Sequence, residues 1–221
     1  MIKVLYEDNH LLCVEKPVNV PVQADRSQDP DLVSTCRQYL KEKYHKPGNV
    51  WLGLLHRLDR PVGGAMVFAR TDKAASRMSN TIRLHEMEKT YRAVLDGIMP
   101  EAEGTLTDWL IKDTRTNMVS VSDEAHGKKC ILHYRTLEVQ DGMSLVEIRL
   151  ETGRPHQIRV QFASRGCPLV YDQRYHPHPG KGQIALWSVR LSFPHPVTKE
   201  QITVESSVPD TDPWNRFEVN R

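Results

Sequence analysis

Hydrophobic and polar positions alternate along much of this chain, and the rhythm changes character several times. Short apolar runs at residues 2–6 and 11–15 read as strands, after which Pro17 and Pro21 break the pattern. A helix is expected from Asp29-Pro30, with Asp29 as its cap and Pro30 in its first turn. Leu32, Val33, Cys36, Tyr39 and Leu40 share its inner face, and it should fade near His45-Lys46-Pro47-Gly48. Residues 54–59 read as extended, 60–64 as a turn or loop, and 65–69 as a buried strand. Thr71 or Asp72 can cap a second helix that turns Ala74, Ala75, Met78 and Ile82 inward.

From residue 89 to 150 the period of two dominates, with strands expected at 90–95, 118–121, 129–134 and 143–150. In the last of these, Leu145, Glu147 and Arg149 alternate with Val146, Ile148 and Leu150. A third helix is expected from Pro155 to about Arg165, closed by Gly166, followed by strands at 184–193 and 201–205. Many strands with few, scattered helices predict an α+β fold with a mixed, largely antiparallel central sheet and flanking helices. No linker or repeat divides the chain, so a single domain over residues 1–221 is expected.

Composition narrows the class without naming a function. The 221 residues are 39% hydrophobic and 26% charged, which suits a globular protein with a sizeable core. The net charge of +2 is too small to indicate a nucleic-acid partner by itself, so any electrostatic footprint must be local. Across residues 154–174, Arg154, Arg159, Arg165 and Arg174 are opposed only by Asp172. A basic wall for RNA phosphates and a solvated helix face both account for this. Cys13, Cys36, Cys130 and Cys167 form no CxxC pair and read as reduced, buried thiols. The first residues do not resemble a signal peptide, and no apolar stretch approaches a membrane span, so a cytoplasmic protein is expected.

Three segments concentrate polar groups between apolar elements. The first is His56-Arg57-Leu58-Asp59-Arg60, followed by Gly63-Gly64. Taken alone it reads as an ion-paired turn, because charges beside buried strands need partners. The second is Glu88-Lys89-Thr90-Tyr91-Arg92, where Tyr91 reads as a half-buried strand tyrosine with its hydroxyl wet. The third runs from Glu151 to Arg159 and enters a helix. Amides there, with Thr152 and Arg154, suit an anion, and Arg159 one turn on can point back toward them. His176, His178 and His195 lack the spacing and acidic company of a zinc site and read as surface histidines.

Together these segments resemble the RluA family of pseudouridine synthases. His56-Arg57-Leu58-Asp59 with Phe68-Ala69-Arg70-Thr71 is similar to the family's HRLD motif. Residues 89–94 and 152–160 are similar to its second and third motifs, in the right order, and the opening from Asp8 to Pro17 fits as well. The family usually carries Thr-Ser-Gly shortly after the aspartate, where this chain has Pro61-Val62-Gly63-Gly64. The N-terminal S4-type domain of some relatives is not seen, so the catalytic domain is expected to bind RNA alone or with a partner.

The resemblance implies that uridine in rRNA or tRNA is isomerised to pseudouridine. The N1–C1′ bond breaks, the uracil turns, and C5 joins C1′, with no redox change and therefore no cofactor. It implies Asp59 as the catalytic carboxylate, whether it adds to the sugar or the base or removes a sugar proton. Arg159 is implied as its charge partner, with Arg154 the second choice, and Tyr91 as the residue that stacks on the base. Arg57 would hold the extruded nucleotide, and Arg154, His56 and Gln157 would contact RNA. A stem-loop RNA substrate, no metal and a monomer complete the expectation. The alternatives are a non-catalytic RNA-binding or chaperone protein on the same fold, and a glycosidase of free nucleosides. The last would want a second catalytic carboxylate, and only Asp59 has a motif around it.

Overall fold

The apolar run Gly63–Ala69 is buried at every position, which requires neighbours on both edges and cover on both faces. The computed structural model supplies them and describes residues 2–220. Met1 and Arg221, the ends of the expected domain, lie outside these. The elements in chain order are β1 (Lys3–Glu7), β2 (Leu11–Lys16), α1 (Leu32–Lys43), β3 (Gly53–Leu54), β4 (Gly63–Ala69), α2 (Asp72–Arg83), β5 (Glu88–Asp96), β6 (Glu103–Asp113), β7 (Met118–Ser122), β8 (Lys128–Gln140), β9 (Met143–Leu150), α3 (Gln157–Ala163), β10 (Leu186–Pro194) and β11 (Gln201–Glu205). Two short 3-10 turns, Trp214–Arg216 and Glu218–Asn220, follow. This is the expected α+β architecture, strand-rich and with few helices.

The chain forms two compact units. One contains the residues up to Lys89 together with Ser188–Ser207, and the other contains Thr90–Trp187 and the residues from Val208 on.

In the first unit the strand order is β1-β2-β4-β10, with β11 on β10 and β3 on β4. The pairs β1–β2, β2–β4, β3–β4 and β10–β11 are antiparallel. The core gathers Leu11, Cys13, Ala65, Val67, Met78, Met87, Leu191, Phe193 and Val204. Helix α2 contributes Met78 to it, and Thr71 caps that helix by accepting from the Ala74 N–H at 3.2 Å, as expected. Helix α1 starts two residues later than expected. Its cap is Asp31, which accepts from the Ser34 N–H at 3.0 Å, while Asp29 pairs with Arg60 instead. The segment expected to be extended over 54–59 is a strand only at β3, and the expected loop over 60–64 already enters β4 at Gly63.

In the second unit the order is β5-β9-β8-β6-β7, all antiparallel. Strand β9 has the expected limits. A two-residue turn joins it to β8, with Asp141 at φ 51 and Gly142 at φ 77, the left-handed pair that a type I′ hairpin needs. Strand β6 was not anticipated. Its apolar positions Leu106 and Leu110 are interrupted on the same face by Asp108, which hides the alternation. The fold makes use of that acid: Asp108 accepts from Gln161 at 2.7 Å and Arg165 at 2.9 Å. Helix α3 is shorter than expected and starts at Gln157 rather than Pro155.

Where β4 begins, Gly64 has φ +115, and a Cβ there would lie 2.3 Å from the Ser188 carbonyl oxygen on β10. Both conditions exclude any other residue. Gly64→Ala is expected to lower stability by about 2 kcal/mol or more, read from urea unfolding midpoints, whereas Gly48→Ala, in open space, should not.

Candidate active site

Asp59 follows β3 and sits where the chain turns back into β4, with its carbonyl accepting from the Val62 N–H at 3.0 Å. The turn is pinned from beneath by Lys16, the last residue of β2, which is fully buried. Its ammonium donates to three carbonyls: Pro17 at 2.9 Å, Arg60 at 2.9 Å and Val62 at 2.7 Å. Register explains the reach, since Lys16 lies opposite Gly64 across the β2–β4 ladder. Burial pulls the Lys16 pKa down to about 7, the charge of Asp59 opposes this, and that of Arg60 adds to it. The three carbonyls solvate the ammonium and so favour the charged form. The Pro61-Val62-Gly63-Gly64 stretch thus needs no hydroxyls to hold its shape, because Lys16 holds the Val62 carbonyl and that of Arg60 just before it, and Gly64 fits against Ser188.

His56 lies on the same segment and turns inward. Beyond Leu54 the β3 ladder stops, and the His56 Nε2 takes over by accepting the Val67 N–H at 3.1 Å. A ring nitrogen that accepts must be unprotonated. Burial, with the charge of Lys89 adding, accordingly pushes its pKa down to about 3. Arg57 is exposed. Arg60 is drawn aside by Asp29, by Ser27 Oγ at 3.0 Å and by the Asn19 carbonyl at 3.1 Å, which ties the turn to the segment before α1.

The second unit holds the other expected residues. Tyr91 stands on β5 opposite Ile148 and is 6% exposed, more buried than the half-wet tyrosine expected. Arg159 is buried in α3, where its Nε and Nη2 donate to the two oxygens of Asp172 at 2.8 and 2.6 Å. The pairing with Asp172 was not expected from the sequence. Helix α3 has only seven residues, and His156 before it sits in the left-handed region at φ 52. Gln157 also departs from expectation. It is 3% exposed, accepts from Thr152 Oγ1 at 2.8 Å and the Arg154 N–H at 3.0 Å, and donates to the Ile131 carbonyl and Gln161. Its amide is spent on bracing the loop, so it has no capacity for RNA. Arg154 is exposed, with its Nε held by the Lys129 carbonyl at 3.1 Å.

The expectation of surface histidines holds for His178, which is exposed, and needs correction for the other two. His195 is 3% exposed, bonds Asp8 at 2.8 Å and accepts the Thr198 N–H at 3.0 Å on its other nitrogen. The His176 side chain is nearly buried against Asp96 at 2.9 Å. Among the described residues no group of three potential ligands could hold a metal ion. All four cysteines are free and buried, as expected.

Lys16 and Asp172 were missed in the sequence. Each left a signal: a lysine two positions after the apolar run Leu11–Val14, and an acid directly after the apolar residues 167–171.

Residues 10–164 match the family model described as RNA pseudouridylate synthase. The chain belongs to this family. A ribosomal large subunit pseudouridine synthase D of Zymomonas mobilis is 33% identical over 222 residues, covering 94% of this chain and 69% of the relative. A second RNA pseudouridine synthase of that organism, itself uncharacterised, is 31% identical and matches 94% of both chains. The solved structure of human RNA pseudouridylate synthase domain containing 4 superimposes with a TM-score of 0.80 at 18% identity, over 94% of this chain and 88% of that one, which shows the fold. The protein is thus an RNA pseudouridine synthase, an isomerase, and the non-catalytic alternative is not favoured.

Two outcomes test the local chemistry of this synthase. Lys16→Met keeps the stem but leaves three carbonyls without their donor. It is expected to cost roughly 1–3 kcal/mol in urea unfolding and to reduce activity strongly at temperatures where the variant is still folded. His56 has a folded pKa of about 3 against an ordinary 6.5. Between those values the unfolded chain binds a proton that the folded chain does not, so stability falls as pH drops from about 6.5 toward 3. His56→Gln keeps the acceptor without titrating. Its Tm should decline less steeply with acidification than that of the unsubstituted protein.

Proposed function

We propose that this synthase isomerises uridine in ribosomal RNA, with Asp59 as the catalytic carboxylate. The observation that carries the reading is the immobilised turn: Asp59 belongs to a segment whose carbonyls are gripped by a buried ammonium. A reacting group held this way pays little reorganisation at the moment of reaction. The ribosomal target is supported by the relative named a ribosomal large subunit pseudouridine synthase. The substrate would be a stem-loop, where extruding a base costs least. The two units would act as one catalytic domain, in keeping with a family match that spans residues 10–164.

The roles of the other residues follow the family resemblance. Tyr91, rigid on β5, would stack on the uracil. Arg159 would be the charge partner of the Asp59 carboxylate. A guanidinium carries five N–H donors, more than a bidentate hold on one carboxylate uses. Arg57 and Arg154 are exposed and suit phosphate or an extruded base. His56 would contribute through the shape of the turn, with its Nε2 engaged by Val67.

RNA labelled with tritium at uracil C5 provides the test, since joining C5 to C1′ expels that hydrogen. Large-subunit rRNA from cells lacking this protein should release label, and Asp59→Asn should abolish release while RNA affinity stays close to that of the unsubstituted protein. Release from tRNA alone would overturn the ribosomal target. Undiminished release by Asp59→Asn would overturn the role of the carboxylate.

A further inference from the structure

Arg159 brings a charge into the second unit's interior, and its neighbours leave the guanidinium almost no freedom. Asp172 is fully buried, and the carboxylate takes the arginine edge-on through two hydrogen bonds of 2.8 and 2.6 Å. The oxygen that receives Nη2 also accepts the backbone N–H groups of Arg174 at 3.0 Å and Tyr175 at 3.3 Å. One side chain therefore holds the arginine and folds the turn that follows. That turn delivers the Tyr175 ring to the guanidinium, 5.1 Å from its carbon to the ring centroid.

Tyr175 is itself fixed at several points. Its hydroxyl oxygen accepts the Val119 N–H at 3.0 Å and lies 2.6 Å from His156 Nδ1. Its ring packs against the cluster of Leu110, Val119, Cys130 and Val160. A carboxylate fixes the guanidinium within its plane and a ring restrains it across that plane. The network therefore sets the orientation of the guanidinium as well as neutralising its charge.

We propose that Asp172 and Tyr175 are positioning residues for the isomerisation, which act by fixing the orientation of the Arg159 guanidinium. This rests on the reading of Arg159 as the partner of the catalytic carboxylate. An arginine side chain is otherwise rich in rotamers, and a displacement of about 1 Å at a catalytic group can cost about 10²-fold in rate.

The test is a double-mutant cycle on tritium release, with kcat, KM for RNA and Tm measured for each variant. Asp172→Asn retains an oxygen for the Arg174 and Tyr175 N–H groups but sets an NH2 against the Arg159 Nε, so the guanidinium must move. Its kcat is expected to fall about 10²-fold, with KM for RNA little changed. With Arg159→Lys already in place, adding Asp172→Asn should cost little more, because the group being positioned is gone. A kcat loss that adds fully to that of Arg159→Lys, or a loss accompanied by an equal rise in KM, would overturn the proposal. So would an unchanged kcat. If Asp172→Asn does not fold, Tyr175→Leu removes the ring while keeping the ion pair: a folded variant with reduced kcat and unaltered KM supports the proposal, and one with full kcat overturns it. Should Arg159→Lys alone leave kcat intact, the reading of Arg159 fails, and that result is separate from a failure confined to Asp172 and Tyr175.

Discussion

A single buried ammonium organises the loop on which the proposed chemistry rests. Lys16 ends a strand whose first four residues are apolar and fully buried, and it is itself fully buried, where a charge is costly unless it is solvated by protein. The carbonyls of Pro17, Arg60 and Val62 provide that solvation, and two of these three belong to the turn after Asp59. The dependence is mutual. Without the carbonyls the lysine could not remain charged inside the unit, and without the lysine the turn would bury carbonyls that lack donors. The close approach of Gly64 to Ser188 then sets how the chain leaves the turn and enters β4.

The second unit solves a similar problem with an ion pair. The side chains of Arg159 and Asp172 are 6% and 0% exposed, and such pairs bring little net stability because both partners lose their water. What the pair brings is geometry. The carboxylate also ties down the turn at Arg174 and Tyr175, so orientation of the arginine and conformation of the loop are one structural decision. Gln157 plays a comparable part, joining Thr152, Arg154, Ile131 and Gln161 through one amide. Both units thus spend buried polar groups on holding loops rather than on filling core.

Elements whose period is clean were legible from the residues. The alternation of β9 and the Thr71 cap of α2 needed no tertiary information, because a half-buried strand and a capped amphipathic helix are local solutions. Strand β6 escaped notice because Asp108 breaks its apolar face, and only the approach of Gln161 and Arg165 makes an acid tolerable there. The cap of α1 was misplaced because Asp29 and Asp31 are equivalent as caps. Asp31 is the one that is buried and accepts from Ser34, while Asp29 faces Arg60 at the surface. Gln157 was misread because a glutamine in a motif says nothing about which way its amide faces.

The order and content of the three motifs, carried by residues 56–59, 89–94 and 152–160, point to the family from the linear chain alone. They also singled out Asp59, Tyr91 and Arg159, since chemistry depends on residue type and motif order survives in the linear chain. The partners of those residues were decided only by tertiary structure. Lys16 meets the Asp59 turn from more than 40 positions away, and Asp172 meets Arg159 from 13 positions along the chain. Burial makes these pairings obligatory, because a charge removed from water must find a counterpart wherever the fold provides one. Spacing along the sequence carries no record of that search.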